Sequence, residues 1–320
     1  MDGSHDGNRT TAERWGGILR SLGWQVVHAD SWDERSYDVL VALHARKSHD
    51  SVVRFHRAHP ERPLIVCGTG TDLYTDVAPA DGDEVKESLR CATRVVVLQP
   101  LALERLPSDV RERTQVIHQS VARPARAFQK PRDVFQVAFP ANIRPVKDPL
   151  TAARAAELLP RDSAVRIVQA GAMLDEGLSG ELSHAARECP AFVMRGALSH
   201  AESLELIGSS HLVLNTSRHE GGANVLSEAL AYGVPILCTK IPGSLGLLGD
   251  PYPGAFPVGN AEALAELLVR ASTLPAFYAE LALACKERAW LTDPRTEREG
   301  WRRLLDEVRT PSAGAPSPPA

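Results

Sequence analysis

Two carboxylates and a pair of glycines form the most chemically suggestive pattern in the chain. Glu220 and Glu228 have seven residues between them, and Gly221-Gly222 directly follow the first. The run from Asn215 to Pro235 reads as strand, Gly-rich turn, helix, strand. Paired glycines let the backbone approach a ligand closely. The helix opening near Ala223 and Asn224 offers unpaired N–H groups and a positive dipole end that suit a phosphate. Glu228, about one turn into the helix, could accept two hydrogen bonds from a ribose diol. Glu220 could do the same for sugar hydroxyls, because an ionised carboxylate is a strong acceptor. The plainer reading is a helix N-terminus decorated with acids that its dipole favours, and the strand-end, Gly-Gly context weighs against it. A metal site would need a third ligand at a useful spacing, and none is evident.

A second constellation, Pro140 to Pro149, carries Arg144 and Lys147 between a strand and a helix. A planar guanidinium fork and a mobile ammonium could clamp a diphosphate from the side opposite the Gly-rich turn; the alternative is a solvated basic loop. In the first half, Leu43-His44-Ala45-Arg46-Lys47-Ser48 and Gly68-Thr69-Gly70-Thr71-Asp72-Leu73 each follow a strand and would line the same cleft. Arg46 and Lys47 could receive an anionic acceptor. Thr69, Gly70, Thr71 and Asp72 could wrap a small ligand as a Gly-Thr turn. Gly7-Asn8-Arg9-Thr10-Thr11 offers an anion-binding turn just before the first helix, or simple capping of that helix by Thr10. The late glycines of Ile241 to Asp250 follow another strand and could complete a nucleotide pocket, with a plain loop the favoured reading. No phosphate-loop motif is present, and Gly68-Thr69-Gly70 lacks the rest of a dinucleotide fingerprint.

These residues must be positioned by an α/β framework, since short β-branched runs alternate with longer amphipathic stretches. Strands are expected at Gln25–Ala29, Asp38–Leu43, Pro63–Cys67, Arg94–Leu98 and Gln115–His118, with helices at Thr10–Leu22, Ser48–His59 and Glu84–Ala92. After a Pro- and Arg-containing linker, Val121–Arg132, strands are expected at Val134–Phe139, Val165–Ala170, Ala191–Met194, Leu212–Asn215 and Pro235–Cys238. Helices are read there at Pro149–Leu159, Ser199–Gly208, Asn224–Ala231, Ala261–Thr273, Pro275–Ala289 and Thr296–Arg309. The Pro-rich tail, residues 310–320, is expected to be disordered. The 320 residues suit two domains, placed at residues 1–126 and 133–295, with a last helix at 296–309. Open parallel sheets bind ligands beyond their C-terminal strand ends, so two such domains would enclose a cleft.

Composition narrows the partners. A net charge of −4 argues against a general nucleic-acid or anionic-membrane surface. No apolar run approaches the length of a bilayer span and no signal-peptide pattern opens the chain, so the expected location is cytoplasmic. Five widely spaced cysteines indicate neither a disulfide framework nor a zinc site and read as reduced thiols.

At Glu220 and Glu228, with Arg144 and Lys147 upstream, the sequence resembles family-four glycosyltransferases of the GT-B class. That resemblance implies two Rossmann-like domains facing across a cleft, a nucleotide-sugar donor on the C-terminal one, no metal or other cofactor, and an acceptor on the N-terminal side. A closer resemblance runs along most of the chain. Gly7-Asn8-Arg9, Val41–Ser48, Thr69–Tyr74, Val97–Leu103, Val146–Pro149, Glu220–Val225 and Ile241–Ser244 are similar to the selenosugar synthases of selenoneine biosynthesis. Those enzymes join a UDP-sugar, typically UDP-N-acetylglucosamine, to selenophosphate through a carbon–selenium bond. The resemblance implies that Glu220, Arg144 and Lys147 serve catalysis and that Gly221, Gly222, Asn224, Val225 and Glu228 bind the donor. It also implies acceptor-side roles for Arg9, His44, Arg46, Lys47, Thr69, Thr71 and Asp72. A hydroxyl-accepting family-four enzyme and a non-catalytic nucleotide-sugar-binding module are the other readings. That family opens with an apolar strand ahead of the Gly-Asn-Arg segment, whereas residues 2–6 here are polar, so translation is expected to start upstream of Met1.

Overall fold

The computed structural model describes residues 7–74 and 82–309. In chain order the first half contains α1 (Gly7–Ser21), β1 (Leu40–Leu43), α2 (His49–Ala58), β2 (Leu64–Cys67), α3 (Gly70–Tyr74), α4 (Gly82–Cys91), β3 (Arg94–Val97), α5 (Ser108–Arg111) and β4 (Thr114–Val116). The second half begins with β5 (Phe135–Pro140), α6 (Pro149–Glu157), β6 (Val165–Ala170), α7 (Ser179–Glu188), β7 (Phe192–Met194), α8 (His200–Gly208), β8 (Leu212–Asn215) and α9 (Asn224–Tyr232). It continues through β9 (Ile236–Thr239), α10 (Pro242–Leu248), β10 (Ala255–Phe256), α11 (Ala261–Thr273), α12 (Pro275–Arg288) and α13 (Pro294–Arg309). Met1–Asp6, the expected upstream start and the Pro-rich tail lie outside the described residues.

Both sheets are parallel, in the orders β1-β2-β3-β4 and β10-β9-β8-β5-β6-β7. Parallel strands joined by crossover helices are covered on both faces and therefore read as continuous apolar runs. Leu64–Cys67 and Leu212–Asn215 are buried at every position. Register follows directly: Leu40 stands opposite Leu64 and Val213 opposite Ile236. Each strand therefore ends at the same edge of its sheet as its neighbours.

The expected strand Gln25–Ala29 is not one. Within it Val26 is half-buried and Gln25, Val27, His28 and Ala29 are exposed, so neither face of the segment is covered as a sheet strand would be. Among the described residues, no backbone hydrogen bond joins it to β1. A cavity of about 820 Å³ separates the two, floored by Trp15 and Leu19 of α1 with Leu305 of α13, and roofed by Trp32 and Ser51. The β-branched run favours extension, but a ladder needs a neighbour within hydrogen-bonding distance, and β1 does not supply one. The amides of Leu40 and His44 donate to the carbonyls of Pro63 and Cys67. By alternation, those of Val41 and Leu43 face the cavity. Amide hydrogen exchange should therefore be faster at Val41 and Leu43 than at Ile65 or Val95; equal protection would show that the β1 edge is paired.

The final helix returns to the first domain. Trp301, Leu304 and Leu305 of α13 pack with Trp15 and Leu19 of α1 against Ile65, Cys67 and Val96 of the N-terminal sheet. Trp15 and Trp301 meet edge to face at 4.8 Å between ring centroids. Glu297, 1% exposed, accepts from Trp15 Nε1 at 2.7 Å, Arg14 Nε at 3.1 Å and the Ser120 amide at 2.9 Å. One buried carboxylate thus ties together α1, α13 and the start of the interdomain linker. Glu297→Ala strands the Arg14 charge and should destabilise the protein by about 3–5 kcal/mol, read as a lower urea midpoint. An unchanged midpoint would refute this tie.

Candidate active site

The basic loop after β5 and the turn after β8 are bonded to each other. Thr216 Oγ1 donates to the Lys147 carbonyl at 2.7 Å, the Arg218 amide donates to the Val146 carbonyl at 2.8 Å, and Arg218 pairs with Asp148 at 3.0 Å. Asp148 occupies the left-handed region at φ 45°, which turns the chain sharply from the basic loop into α6. Lys147 Nζ reaches Glu220 Oε1 at 2.5 Å, an oxygen that also accepts from Ser217 Oγ at 2.7 Å. Both Lys147 and Glu220 are half-buried, whereas Arg144 is exposed. Thus Lys147 and Glu220 meet, while Arg144 reaches into solvent beside them.

Helix α9 opens on Ala223, which supplies no side-chain cap, so the first-turn amides at Asn224 and Val225 are aimed at the space beside Gly221 and Gly222. Glu228, one turn further, is buried, and its carboxylate pairs with His200 Nε2 at 2.9 Å. That hydrogen bond to Glu228 holds the His200 pKa above its ordinary 6.5, against partial burial and the Arg14 charge. Residues 241–250, read as a plain loop, instead contain α10. Pro242 sits at its N-terminal position, where a missing N–H costs nothing. Its glycines permit close packing: a Cβ on Gly243 would fall 2.1 Å from the Glu220 carbonyl oxygen.

On the acceptor side, Asp72 is fully buried and His44 nearly so, and the two are bonded to each other. Asp72 also accepts from the amides of Ala45 and Thr69, each at 3.0 Å, and from Thr69 Oγ1 at 3.1 Å. His44 itself is held at φ 79°, a conformation unusual for a residue with a Cβ and one that tends to mark functional sites. Burial pushes the Asp72 carboxyl up, but the His44 imidazole and the Thr69 and Ala45 amides outweigh it and hold it below the ordinary 3.8.

Two expectations need correcting here. Thr69–Asp72 is not an open ligand-wrapping turn but the start of α3, where the Asp72 carboxylate reaches back to accept from the Thr69 amide and hydroxyl. Thr71 lies within that helix. Gly7-Asn8-Arg9 is not a turn before the first helix but its first turn, with Thr11 Oγ1 donating back to the Gly7 carbonyl at 2.9 Å. Arg9 pairs with Glu13 at 3.0 Å. Arg46 is half-buried and Lys47 exposed at the end of β1.

The two sides touch. A Cβ on Gly70 would lie 2.7 Å from the Gly221 amide nitrogen, and one on Gly221 would lie 2.6 Å from that of Gly70. A Cβ on Gly222 would strike Leu98, and one on Gly246 the Gln99 side chain. The C-terminal ends of the two sheets therefore face each other across a cleft whose floor is backbone against backbone. Gly221→Ala should force the loops apart and lower any transfer activity by at least about tenfold, as expected when reacting groups are displaced by about an ångström; unaltered turnover would show that the contact is dispensable. Asp72→Asn should cost about 3–5 kcal/mol. Because the folded pKa lies below 3.8, the stability from Asp72 is present above that pH and is lost as pH falls through the folded value. The variant should therefore show a weaker acid dependence of its unfolding midpoint.

Two parallel-sheet domains opposed at their C-terminal strand ends define the GT-B class. The family Glycosyl transferases group 1 matches residues 123–290, and the chain belongs to that family. It is similar to Glycosyltransferase 1 domain-containing protein 1 of Xenopus tropicalis, at 22% identity over 270 residues, covering 77% of this chain and 78% of that one. Among solved structures it is similar to Anabaena HepE in complex with UDP-glucose, at TM-score 0.68 and 18% identity, covering 85% of this chain and 79% of that one. It is also similar to S. aureus TarM in complex with Fondaparinux, alpha-GlcNAc-glycerol and UDP, at TM-score 0.67 and 16% identity over 84% of this chain. The chain spans 55% of the length of TarM.

Proposed function

We propose that this chain is a selenosugar synthase, transferring the sugar of a UDP-sugar, UDP-N-acetylglucosamine, to selenophosphate in the cytoplasm as a step of selenoneine biosynthesis. The donor diphosphate lies between the Arg144–Lys147 loop and the Gly221-Gly222 turn, with Asn224 and Val225 amides at the helix opening. Glu228 accepts from the ribose hydroxyls and Glu220 from the sugar. HepE and TarM, which share the fold, are seen with UDP-glucose and UDP respectively, and this supports a uridine donor. Selenophosphate enters beside Arg9, Arg46 and Lys47. Its selenium attacks the anomeric carbon, the bond from that carbon to the diphosphate breaks, and UDP leaves with the electron pair. Lys147 and Arg144 balance the charge that develops on the leaving phosphate.

The observation that carries this reading is the burial of His44 and Asp72. They are the acceptor-side groups best placed to take a proton, yet they are bonded to each other beneath the surface. A sugar hydroxyl needs its proton removed as it attacks, whereas selenophosphate is already an anion with a soft nucleophilic atom. Exposed cations above a buried acid–base pair suit the anion better than the alcohol.

The test is mass spectrometry of purified protein with UDP-N-acetylglucosamine and selenophosphate, beside phosphate and thiophosphate. A product with the selenium isotope pattern and stoichiometric UDP is expected, and Lys147→Ala should reduce its rate by about 10²-fold. Transfer to an alcohol with no selenium product would favour the hydroxyl-accepting reading. Donor binding without consumption would favour a non-catalytic module.

A further inference from the structure

The Glu228 carboxylate is buried, and a buried carboxylate is costly unless it is paired. Among the described residues its hydrogen-bond partner is His200, whose Nε2 lies 2.9 Å from Oε1; no hydrogen bond to Oε2 is found. His200 is the first residue of α8, and the start of that helix is fixed by a reciprocal capping box between Ser199 and Glu202. The Ser199 hydroxyl accepts from the Glu202 amide at 3.3 Å, and the Glu202 carboxylate accepts from the Ser199 amide at 2.8 Å. The imidazole is thereby anchored at its backbone, with its far nitrogen pinning one oxygen of Glu228. Arg14 of α1 is the other charge that acts on His200, and it is drawn away by its bond to Glu297.

We infer that His200 is a positioning residue for nucleotide binding: by holding Oε1 it fixes the Glu228 carboxylate with Oε2 turned toward the ribose diol of the donor. This rests on the reading of Glu228 as the ribose acceptor. His200 does not touch the nucleotide. It sets the rotamer of the side chain that does, so its removal should weaken only the part of the affinity that depends on the ribose hydroxyls.

Titration calorimetry with two probes, UDP and 2′,3′-dideoxy-UDP, reads that part separately. The wild-type protein should prefer UDP by about tenfold or more, the value of a hydrogen bond to a charged acceptor. Glu228→Ala should abolish the preference. His200→Ala should lose most of it while binding dideoxy-UDP as the wild type does, and His200→Gln, which keeps a donor on a side chain of similar reach, should recover it. Unchanged dideoxy-UDP affinity also reports an intact fold. If Glu228→Ala abolishes the preference and His200→Ala keeps it, the inference about His200 is overturned and the reading of Glu228 stands. If Glu228→Ala keeps the preference, the ribose assignment fails and the inference fails with it.

Discussion

Gly70 and Gly221 bring two backbones together where no side chain could stand between them. One follows β2 of the first sheet and the other follows β8 of the second, so their contact sets how closely the two C-terminal edges approach. Around that point the residues with chemical capacity fall into place. Lys147 and Glu220 lie on one side, and Arg46 and Lys47 rise from the other. The dense glycine usage of α10 follows from the same constraint, because its helix must slide beneath Glu220 and beside Gln99. Were either floor residue to carry a methyl group, the loops would separate before the strands did.

Three buried carboxylates hold the parts that this contact brings together. Glu297 gathers α1, α13 and the linker, which fixes the final helix of the chain on the first domain and couples the two halves mechanically. Asp72 ties the loop after β1 to the loop after β2. Glu228 is pinned by His200 within the second domain. Each is buried only because it is given donors, and removal of those donors would leave an uncompensated charge. Glu297 and Asp72 cannot move without breaking several hydrogen bonds at once, and Glu228 is held by the one to His200. The exposed charges are Arg144 and Lys47, and rigid loops with solvent-facing cationic ends suit the capture of anionic ligands.

Much of this was legible in the sequence because parallel strands leave a strong trace. Leu64–Cys67, Arg94–Val97, Val165–Ala170 and Leu212–Asn215 are compact β-branched or aliphatic runs, and they become strands within a residue or two of their expected limits. The Gly-rich turn and the basic loop are also found where their positions after β8 and β5 implied. What was misread has local physical causes. Gln25–Ala29 has the β-branched pair of a strand but no neighbour within reach, and pairing is a tertiary property that composition cannot report. Residues 242–248 were hidden by two glycines and a proline, which argue for a loop unless the packing they permit is known. The start of α3 was legible in principle, since Thr69-x-x-Asp72 carries a capping-box pattern. The pairing of His200 with Glu228 was not, because nothing in a sequence separation of 28 residues announces it.

The central claim is that the donor diphosphate is held between the Arg144–Lys147 loop and the Gly221-Gly222 turn, above the backbone contact of the two domains. Lys147 is bound to Glu220 in the structure, so an incoming diphosphate must compete for its ammonium group. A crystal structure with UDP bound tests this most directly. The diphosphate should lie within hydrogen-bond distance of Lys147 Nζ and the first-turn amides of α9, with Arg144 folded onto it and the bond from Lys147 to Glu220 lengthened or broken. UDP bound elsewhere, or bound with that pair undisturbed and Arg144 still in solvent, would contradict the account.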